Sequence, residues 1–181
     1  MRIDSEEAKS AEKLIMLAVG LPGCGKSAFF ARHGIRPLSS DRLREWLLGD
    51  ETDQRYPQHV FSGLRYLLRL RLLIGQQVTY VDATNLTRRE RASYFAIARR
   101  FGCDVEALYF DVPLEVCLAR NRRRPRQVPE EKIHEMAARL EPPHPEEGFR
   151  RITVVRDTDD KSWKAQCRCR AEGREDESQG L

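Results

Sequence analysis

The sequence predicts an α/β domain in which a parallel five-stranded sheet is covered by helices on both faces. Two kinds of segment, apolar runs and helical patterns, indicate this class by the way in which they alternate. Five short apolar runs, the first of them KLIMLAV at residues 13–19, alternate along the chain with segments whose apolar residues recur at helical spacing. Strands that alternate with helices pair in parallel, because right-handed crossovers return the chain to the same end of the sheet.

The predicted elements follow one another between residues 13 and 157, which we take as the domain. The long helix in its middle carries Val60, Leu64, Leu67 and Leu68 on one face, and Gly75 is a natural stop. In chain order the elements are a strand at KLIMLAV, a helix at AFFARHG, a strand near RPLSS, a helix at QHVFSGLRYLLRLRLLIG, a strand at QVTYVD, a helix at TRRERASYFAIARRFG, a strand at DVEALYFDV, helices at PLEVCLARNRRR and PEEKIHEMAARLE, and a last strand at RITVVRD. Residues 1–12 form a polar extension, and residues 158–181 are charged and small, which predicts a disordered tail.

Length and composition are those of an ordinary soluble domain. The 181 residues are 40% hydrophobic and 33% charged, with a formal net charge of +4, and this length supports a core without disulfides. The stretch LIMLAVGL is too short to cross a bilayer, and MRIDSEEAKS has no signal-peptide pattern. We therefore expect a cytoplasmic protein with no membrane contact. The cysteines form no CxxC pair and the histidines are scattered, which disfavours a metal centre built by the protein.

Residues 20–27, GLPGCGKS, match the phosphate-binding pattern GxxxxGK[ST] between a predicted strand and a helix. Glycines let successive backbone N–H groups point at one anion at the start of that helix. In this pattern the lysine, Lys26, contacts the β- and γ-phosphates, so we predict it to be catalytic as well as ATP-binding, and the hydroxyl of Ser27 binds Mg²⁺. The pattern predicts a site for ATP and Mg²⁺ lined by Gly20, Leu21, Pro22, Gly23, Cys24, Gly25, Lys26 and Ser27.

Two residues near this loop have alternative interpretations. Cys24 lies within the anion-binding loop, at a helix N-terminus that can activate a thiol toward oxidation. The simpler interpretation is a small residue that fits a tight turn. Asp82 ends the strand VTYVD, where its carboxylate suits the water shell of the magnesium ion. The alternative for Asp82 is that it only begins the turn DATN.

The segment PLSSDRLREWLLG presents a similar choice for Asp41. Ser39, Ser40 and Asp41 are all good N-cap residues, so the aspartate could merely start a helix. Ligands of parallel α/β sheets, however, bind outside the carboxyl ends of strands, where we expect both Asp41 and Asp82. There Asp41 would orient an acceptor hydroxyl and take its proton, and Arg44, three residues later, would hold an anionic group of the acceptor. We interpret Asp41 as catalytic.

The segment ARNRRRPR concentrates arginines just before a break flanked by prolines, as a closing lid would. Arginines that close over a transferring phosphoryl group are worth about 10³–10⁵ in rate. We predict a lid over about residues 120–140, in which Arg120 and Arg124 are catalytic and bind ATP together with Arg126. The alternative is a solvated basic face.

The ordered set of motifs GLPGCGKS, SSDRLR, DETDQ, VDATN, RNRRRPRQV and EEGFRRI resembles the kinase module of bacterial RNA-repair polynucleotide kinase–phosphatases, within the P-loop phosphotransferases. The resemblance covers about residues 13–155. It implies a P-loop kinase fold and transfer of the ATP γ-phosphate to the 5′-hydroxyl end of RNA or DNA. It also implies that Asp41 is the general base, that Arg44 binds the phosphate beside the 5′-hydroxyl, that Gln54 lies on the acceptor side, and that lid arginines matching Arg120 and Arg124 contact ATP.

This sequence departs from the family pattern in two ways. Its lid is one residue shorter, which leaves open whether Arg123, Arg124 or Arg126 takes the second lid role, and we expect no phosphatase or ligase domain beside the kinase module. Two other classes of function therefore stay open. One is a small-molecule or sugar-nucleotide kinase of the zeta-toxin type, and the other is a regulatory module that hydrolyses ATP slowly.

Overall fold

In the computed structural model, residues 13–51 and 53–156 form a five-stranded parallel sheet of order β2-β3-β1-β4-β5 with helices on both faces. The strands are β1 (Leu14–Val19), β2 (Leu38–Ser39), β3 (Val78–Asp82), β4 (Asp104–Phe110) and β5 (Arg151–Val155). The helices are α1 (Lys26–Arg32), α2 (Ser40–Leu48), α3 (Pro57–Leu73), α4 (Arg88–Phe101), α5 (Leu114–Arg122) and α6 (Glu130–Arg139). The predicted fold class is confirmed. The predicted extension and tail lie outside the described residues.

Strand β1 is the centre of the sheet, since it pairs in parallel with β3 on one side and with β4 on the other. All six of its residues are buried. Successive side chains of a strand point to opposite faces, so Ile15 and Leu17 join one core cluster and Leu14 and Met16 the other. Buried residues of α3 and α4 complete the first cluster, and buried residues of α1 and α5 complete the second. A strand that is covered on both faces has apolar residues at every position, which explains the unbroken apolar run in the sequence of β1.

Helix α2 begins beside the end of β2, and this corrects the predicted position of Asp41. The strand ends at Ser39, whose hydroxyl accepts a hydrogen bond from the backbone N–H of Arg42 at 3.4 Å and caps the helix. Asp41 lies in the first turn of α2, so it neither ends a strand nor caps the helix. Its carboxylate is therefore left for contacts with other side chains.

A buried arginine connects the segment after β3 to the C-terminal part of the domain. Arg91 on α4 is fully buried, and its Nε and Nη2 donate to the two carboxylate oxygens of Glu147 at 2.8 and 2.7 Å. Its Nη1 donates to the backbone carbonyls of Asn85, Leu86 and Glu141 at 2.9 to 3.0 Å. The charge is thus paired and hydrogen-bonded, as burial of a charge requires. This network fixes the chain just beyond the carboxyl end of β3.

Within the part of the chain that the structure describes, none of the helices has both the length and the apolar character needed to cross a membrane.

Candidate active site

The phosphate-binding loop joins the central strand β1 to α1. Gly23 has φ +83°, a conformation that glycine adopts without strain. A Cβ atom there would overlap the backbone carbonyl oxygen of Cys117 on α5. Asn85, beyond β3, donates from Nδ2 to the carbonyl of Ala18 at 2.7 Å and so ties the end of β1 to the neighbouring segment. The loop therefore rests between the sheet edge and α5.

A cavity of about 230 Å³ lies at this loop. It brings together residues of the loop, of α2, of the end of β3 and of α5 and the segment after it. The lining residues are Gly23, Gly25, Lys26, Ser27, Ala28, Ser40, Asp41, Asp82, Ala83, Thr84, Arg120 and Arg124. Sequence positions about one hundred apart thus meet at one site, as predicted for the carboxyl ends of parallel strands.

Lys26 is buried and faces the loop. Its Nζ donates to the backbone carbonyls of Gly20 and Leu21, both at 2.8 Å, and lies 3.5 Å from the sulfur of Cys24. The ammonium group is therefore held within the loop by its own backbone, and Lys26 also lines the cavity.

Ser27 and Asp82 form the pair suited to a divalent cation. The hydroxyl of Ser27 donates to Oδ2 of Asp82 at 2.9 Å. Burial raises the pKa of Asp82 above its ordinary value of 3.8, against the opposing effects of the Lys26 ammonium and the Ser27 hydroxyl. A desolvated carboxylate next to a hydroxyl gains from binding a hard cation, and oxygen ligands are those that Mg²⁺ prefers. The donor set therefore fits the magnesium ion that the loop pattern implies.

Asp41 and Arg44 form an ion pair on α2, with Oδ1 of Asp41 2.7 Å from Nη1 of Arg44. The Asp41 side chain is 57% exposed and lines the cavity, whereas that of Arg44 is only 5% exposed. Nη1 of Arg44 also donates to the carbonyl of Glu51 at 3.3 Å, and its buried Nε has no hydrogen-bond partner. The carboxylate thus faces the cavity, with a buried guanidinium beside it that retains an unused donor.

The structure separates the predicted lid arginines into two groups. Arg120 and Arg124 line the cavity, and one Nη atom of Arg120 is buried without a hydrogen-bond partner. Arg126, which we predicted to bind ATP, does not line the cavity and instead contacts the carboxylate and carbonyl of Glu51. Arg123 is exposed and does not line the cavity either. Of the three candidates for the second lid role, the geometry favours Arg124.

Several other predicted site residues do not line the cavity: Gly20, Leu21, Pro22, Cys24, Arg44 and Gln54. Gln54 is exposed, in the segment between α2 and α3. Cys24 is fully buried within a core cluster, a position consistent with a small residue that fits a tight loop. Nearby, burial raises the pKa of the Cys117 thiol to about 11, so this group is protonated at neutral pH.

Sequence reasoning missed two residues that shape the lid. Asn121 donates from Nδ2 to the carbonyl of Val128 at 2.8 Å and accepts from the N–H of Val128 at 2.9 Å, which closes the segment between α5 and α6. Glu51 is the partner of Arg126, 75 residues further along the chain. The sequence carried only a weak signal for Glu51, its place within DETDQ, and none for the role of Asn121.

A loop of this type on a parallel sheet, faced by carboxylates and by arginines of α5 and the segment after it, defines the P-loop kinase class. The chain belongs to the AAA_33 family, whose model, described as an AAA domain, matches residues 15–143. The P-loop, nucleotide-binding and kinase-type parts of the prediction are therefore confirmed.

Two curated relatives share one name. Human L-seryl-tRNA(Sec) kinase is 43% identical over 56 residues, which are 31% of this chain and 16% of that protein. L-seryl-tRNA(Sec) kinase of Methanococcus maripaludis is 22% identical over 156 residues, which are 82% of this chain and 60% of that protein. The chain thus spans less than two thirds of either relative.

Among solved structures, a chain of the Pnkp1/Rnl/Hen1 RNA repair complex superposes with a TM-score of 0.62 at 21% identity, over 75% of this chain and 46% of that chain. At this identity the likeness shows the fold.

Proposed function

We propose that this protein is a polynucleotide 5′-kinase, which transfers the γ-phosphate of ATP to a 5′-hydroxyl end of RNA or DNA. The observation that carries the proposal is the Asp41–Arg44 pair, because Asp41 lines the same cavity as the phosphate-binding loop. A hydrolytic enzyme could use the carboxylate to orient water, but only an acceptor with an anionic group gives a role to the guanidinium beside it.

In this proposal Asp41 accepts the proton of the acceptor hydroxyl and orients its oxygen toward the γ-phosphate. Phosphoryl transfer passes through a loose transition state, in which the proton leaves late, so that positioning outweighs basicity. The exposure of the Asp41 side chain leaves one carboxylate oxygen free while Arg44 holds the other. The pair therefore supports a general base of fixed orientation.

The negative charge on the transferring phosphoryl group is stabilised by Lys26, Arg120 and Arg124, basic residues that line the cavity. Fixed cations aimed at developing charge are the largest contribution that such a site can make. Ser27 and Asp82 would hold Mg²⁺, which supplies charge neutralisation on the phosphate oxygens when bound. The unpartnered Nη atom of Arg120 favours an anionic neighbour.

A nucleic-acid acceptor is favoured by the state of Arg44. Arg44 is buried and does not line the cavity, but it pairs with Asp41, which does. A guanidinium charge beside that carboxylate favours an acceptor that already carries an anion, as the phosphate next to a 5′-hydroxyl does. A neutral sugar or small alcohol offers no such group. The likeness to a chain of an RNA repair complex agrees with this acceptor.

A second candidate acceptor is a serine hydroxyl carried on a tRNA, which is favoured by the names of the two curated relatives. It shares with the first candidate a primary or activated alcohol at the end of an RNA and a nearby phosphate. The same Asp41 and Arg44 would serve it, so acceptor choice separates the two candidates where site geometry does not.

The test offers γ-labelled ATP and Mg²⁺ with 5′-hydroxyl RNA, 5′-hydroxyl DNA, seryl-tRNA and a panel of small alcohols. We expect label on the 5′-hydroxyl oligonucleotides. Label on seryl-tRNA alone would replace the proposal by the second candidate. Label on small alcohols alone, or released only as free phosphate, would contradict both.

Arg44→Ala tests the acceptor contact, with Arg42→Ala on the exposed face of the same helix as its control. Loss of a charged hydrogen bond costs about 1.5–3 kcal/mol, so KM for the oligonucleotide should rise about tenfold or more while KM for ATP stays within about twofold. Arg42→Ala should change neither constant. Equal losses for both substrates, in a variant that melts like the wild type, would contradict the acceptor role of Arg44.

A further inference from the structure

Glu51 lies in the segment between α2 and α3, outside the cavity lining, yet it contacts two arginines from different parts of the fold. Its backbone carbonyl accepts hydrogen bonds from Nη1 of Arg44 and from Nη2 of Arg126. Its carboxylate oxygen Oε1 lies 2.6 Å from Nη1 of Arg126. One residue thus holds the acceptor-side arginine and a lid arginine together.

We infer that Glu51 is a positioning residue that joins the lid to the acceptor side of the site. This inference rests on the proposed function in one respect, the assignment of Arg44 to the acceptor. Arg126 is anchored by Glu51 rather than placed on ATP, and that anchorage holds the segment after α5 against the segment between α2 and α3. Arg124, two residues before Arg126, lines the cavity, and on this inference the contact between Glu51 and Arg126 also restrains Arg124.

The local structure of the lid favours transmission of this contact. Asn121 and Val128 are joined by two reciprocal hydrogen bonds at 2.8 and 2.9 Å, which enclose Arg124 and Arg126 in one short turn. Arg122 and Glu130 form a two-point ion pair at 2.6 and 2.9 Å across the same turn. A turn closed in this way moves as a unit, so holding Arg126 restrains Arg124.

The contribution of the ion pair between Glu51 and Arg126 to nucleotide binding is limited by its exposure to solvent. The side chains of Arg126 and Glu51 are 29% and 39% exposed, so solvent screens the attraction. Exposed to half-buried pairs of this kind change an equilibrium by a factor of about two to five. The carbonyl of Glu51 remains after Glu51→Gln, so that substitution weakens the contact with Arg126 and leaves the hydrogen bond from Arg44 in place.

The experiment is a double-mutant cycle read by nucleotide binding. The dissociation constant of a non-hydrolysable ATP analogue with Mg²⁺ is measured by calorimetry for the wild type, Glu51→Gln, Arg126→Met and the double variant. We expect each single variant to raise this constant about threefold, although neither residue lines the cavity, and the double variant to raise it no further.

Asp53→Asn is the matched control. It removes one negative charge from the same segment, where Asp53 pairs with the exposed Arg55 at 2.7 Å and does not reach the lid. Its dissociation constant should equal that of the wild type. If the control shows the same loss as Glu51→Gln, the effect is one of net charge and the inference is overturned. Unchanged binding in both single variants, or additive losses in the double variant, overturns it as well.

A second measurement separates a positioning role from a merely structural one. Binding of 5′-hydroxyl RNA to the wild type should tighten when the ATP analogue is present, because one residue holds both sides of the site. In Glu51→Gln this coupling should shrink while the melting temperature stays that of the wild type. Should the wild type bind no RNA at all, the proposed acceptor is wrong, and the nucleotide-binding cycle still decides the role of Glu51.

Discussion

Replacing Glu147 by alanine should destabilise the domain strongly, because it leaves the Arg91 guanidinium buried without its counter-ion. Arg91 is fully buried, and two of its nitrogen atoms lose charged acceptors at 2.7 and 2.8 Å. The N–H of His144 also loses its acceptor, Oε1 of Glu147 at 2.9 Å. Removing one partner of a buried ion pair costs about 3–5 kcal/mol, a large fraction of the stability of a typical domain, which is about 5–15 kcal/mol.

Urea unfolding followed by circular dichroism measures this loss. With a slope of about 2 kcal/mol per molar urea, the midpoint should fall by about 1.5–2.5 M. The neighbouring Glu146→Ala is the control, because the Glu146 side chain is 75% exposed and pairs with the exposed His144 at 3.4 Å. That variant should stay within about 0.5 kcal/mol of the wild type. Equal midpoints for the two variants would refute the view that the buried pair holds this part of the fold.

Three further predictions concern the site. Asp41→Asn should lower the rate of transfer by a factor of about 10²–10⁴ and leave the affinity for the ATP analogue unchanged, so a variant with near wild-type rate would contradict the catalytic role. Asp82→Asn should abolish magnesium-dependent transfer yet raise the free energy of unfolding at pH 7 by about 0.5–2 kcal/mol. Burial raises the pKa of Asp82 in the folded protein above 3.8, so ionisation of this carboxyl lowers the stability of the wild type as the pH rises past that value. The stability gain of the variant should therefore vanish below about pH 4, where the carboxyl is protonated in both states. Gly23→Ala should abolish nucleotide binding through overlap with a backbone carbonyl, whereas Gly34→Ala, with φ +66° and open space around it, should cost only about 1 kcal/mol and bind nucleotide normally; calorimetry of both variants checks this.

The sheet and the phosphate-binding loop could be predicted because their signals are local. A short apolar run such as residues 14–19 is typical of a strand buried on both faces, and the pattern GxxxxGK[ST] is specific for one backbone conformation when it lies between a strand and a helix. We predicted that a strand ends at Asp41, whereas β2 ends two residues earlier, at Ser39. The error arose because β2 is only two residues long. A strand that short leaves no alternation in the sequence from which its end could be identified.

The partners of the charged residues could not be predicted, because they lie far apart in sequence. Arg91 occupies the apolar face of α4, three residues before Tyr94, which signals a buried charge but not its partner 56 residues further on. Arg126 and Arg124 differ by two positions in one basic segment, and only the path of the turn decides which of them reaches the cavity. The arginine content identifies such a segment as anion-binding, but it does not show which of the arginines contacts the anion.

The contact between Gly23 and the carbonyl of Cys117 has a consequence for the geometry of the whole nucleotide site. Cys117 lies one helical turn before Arg120, so the spacing between the glycine-rich turn and this arginine is set by main-chain atoms alone. Side-chain replacements along the exposed surface of α5 therefore leave that spacing intact. A single methyl group added to Gly23, in contrast, would push the loop and α5 apart and move Arg120 away from its place in the cavity lining.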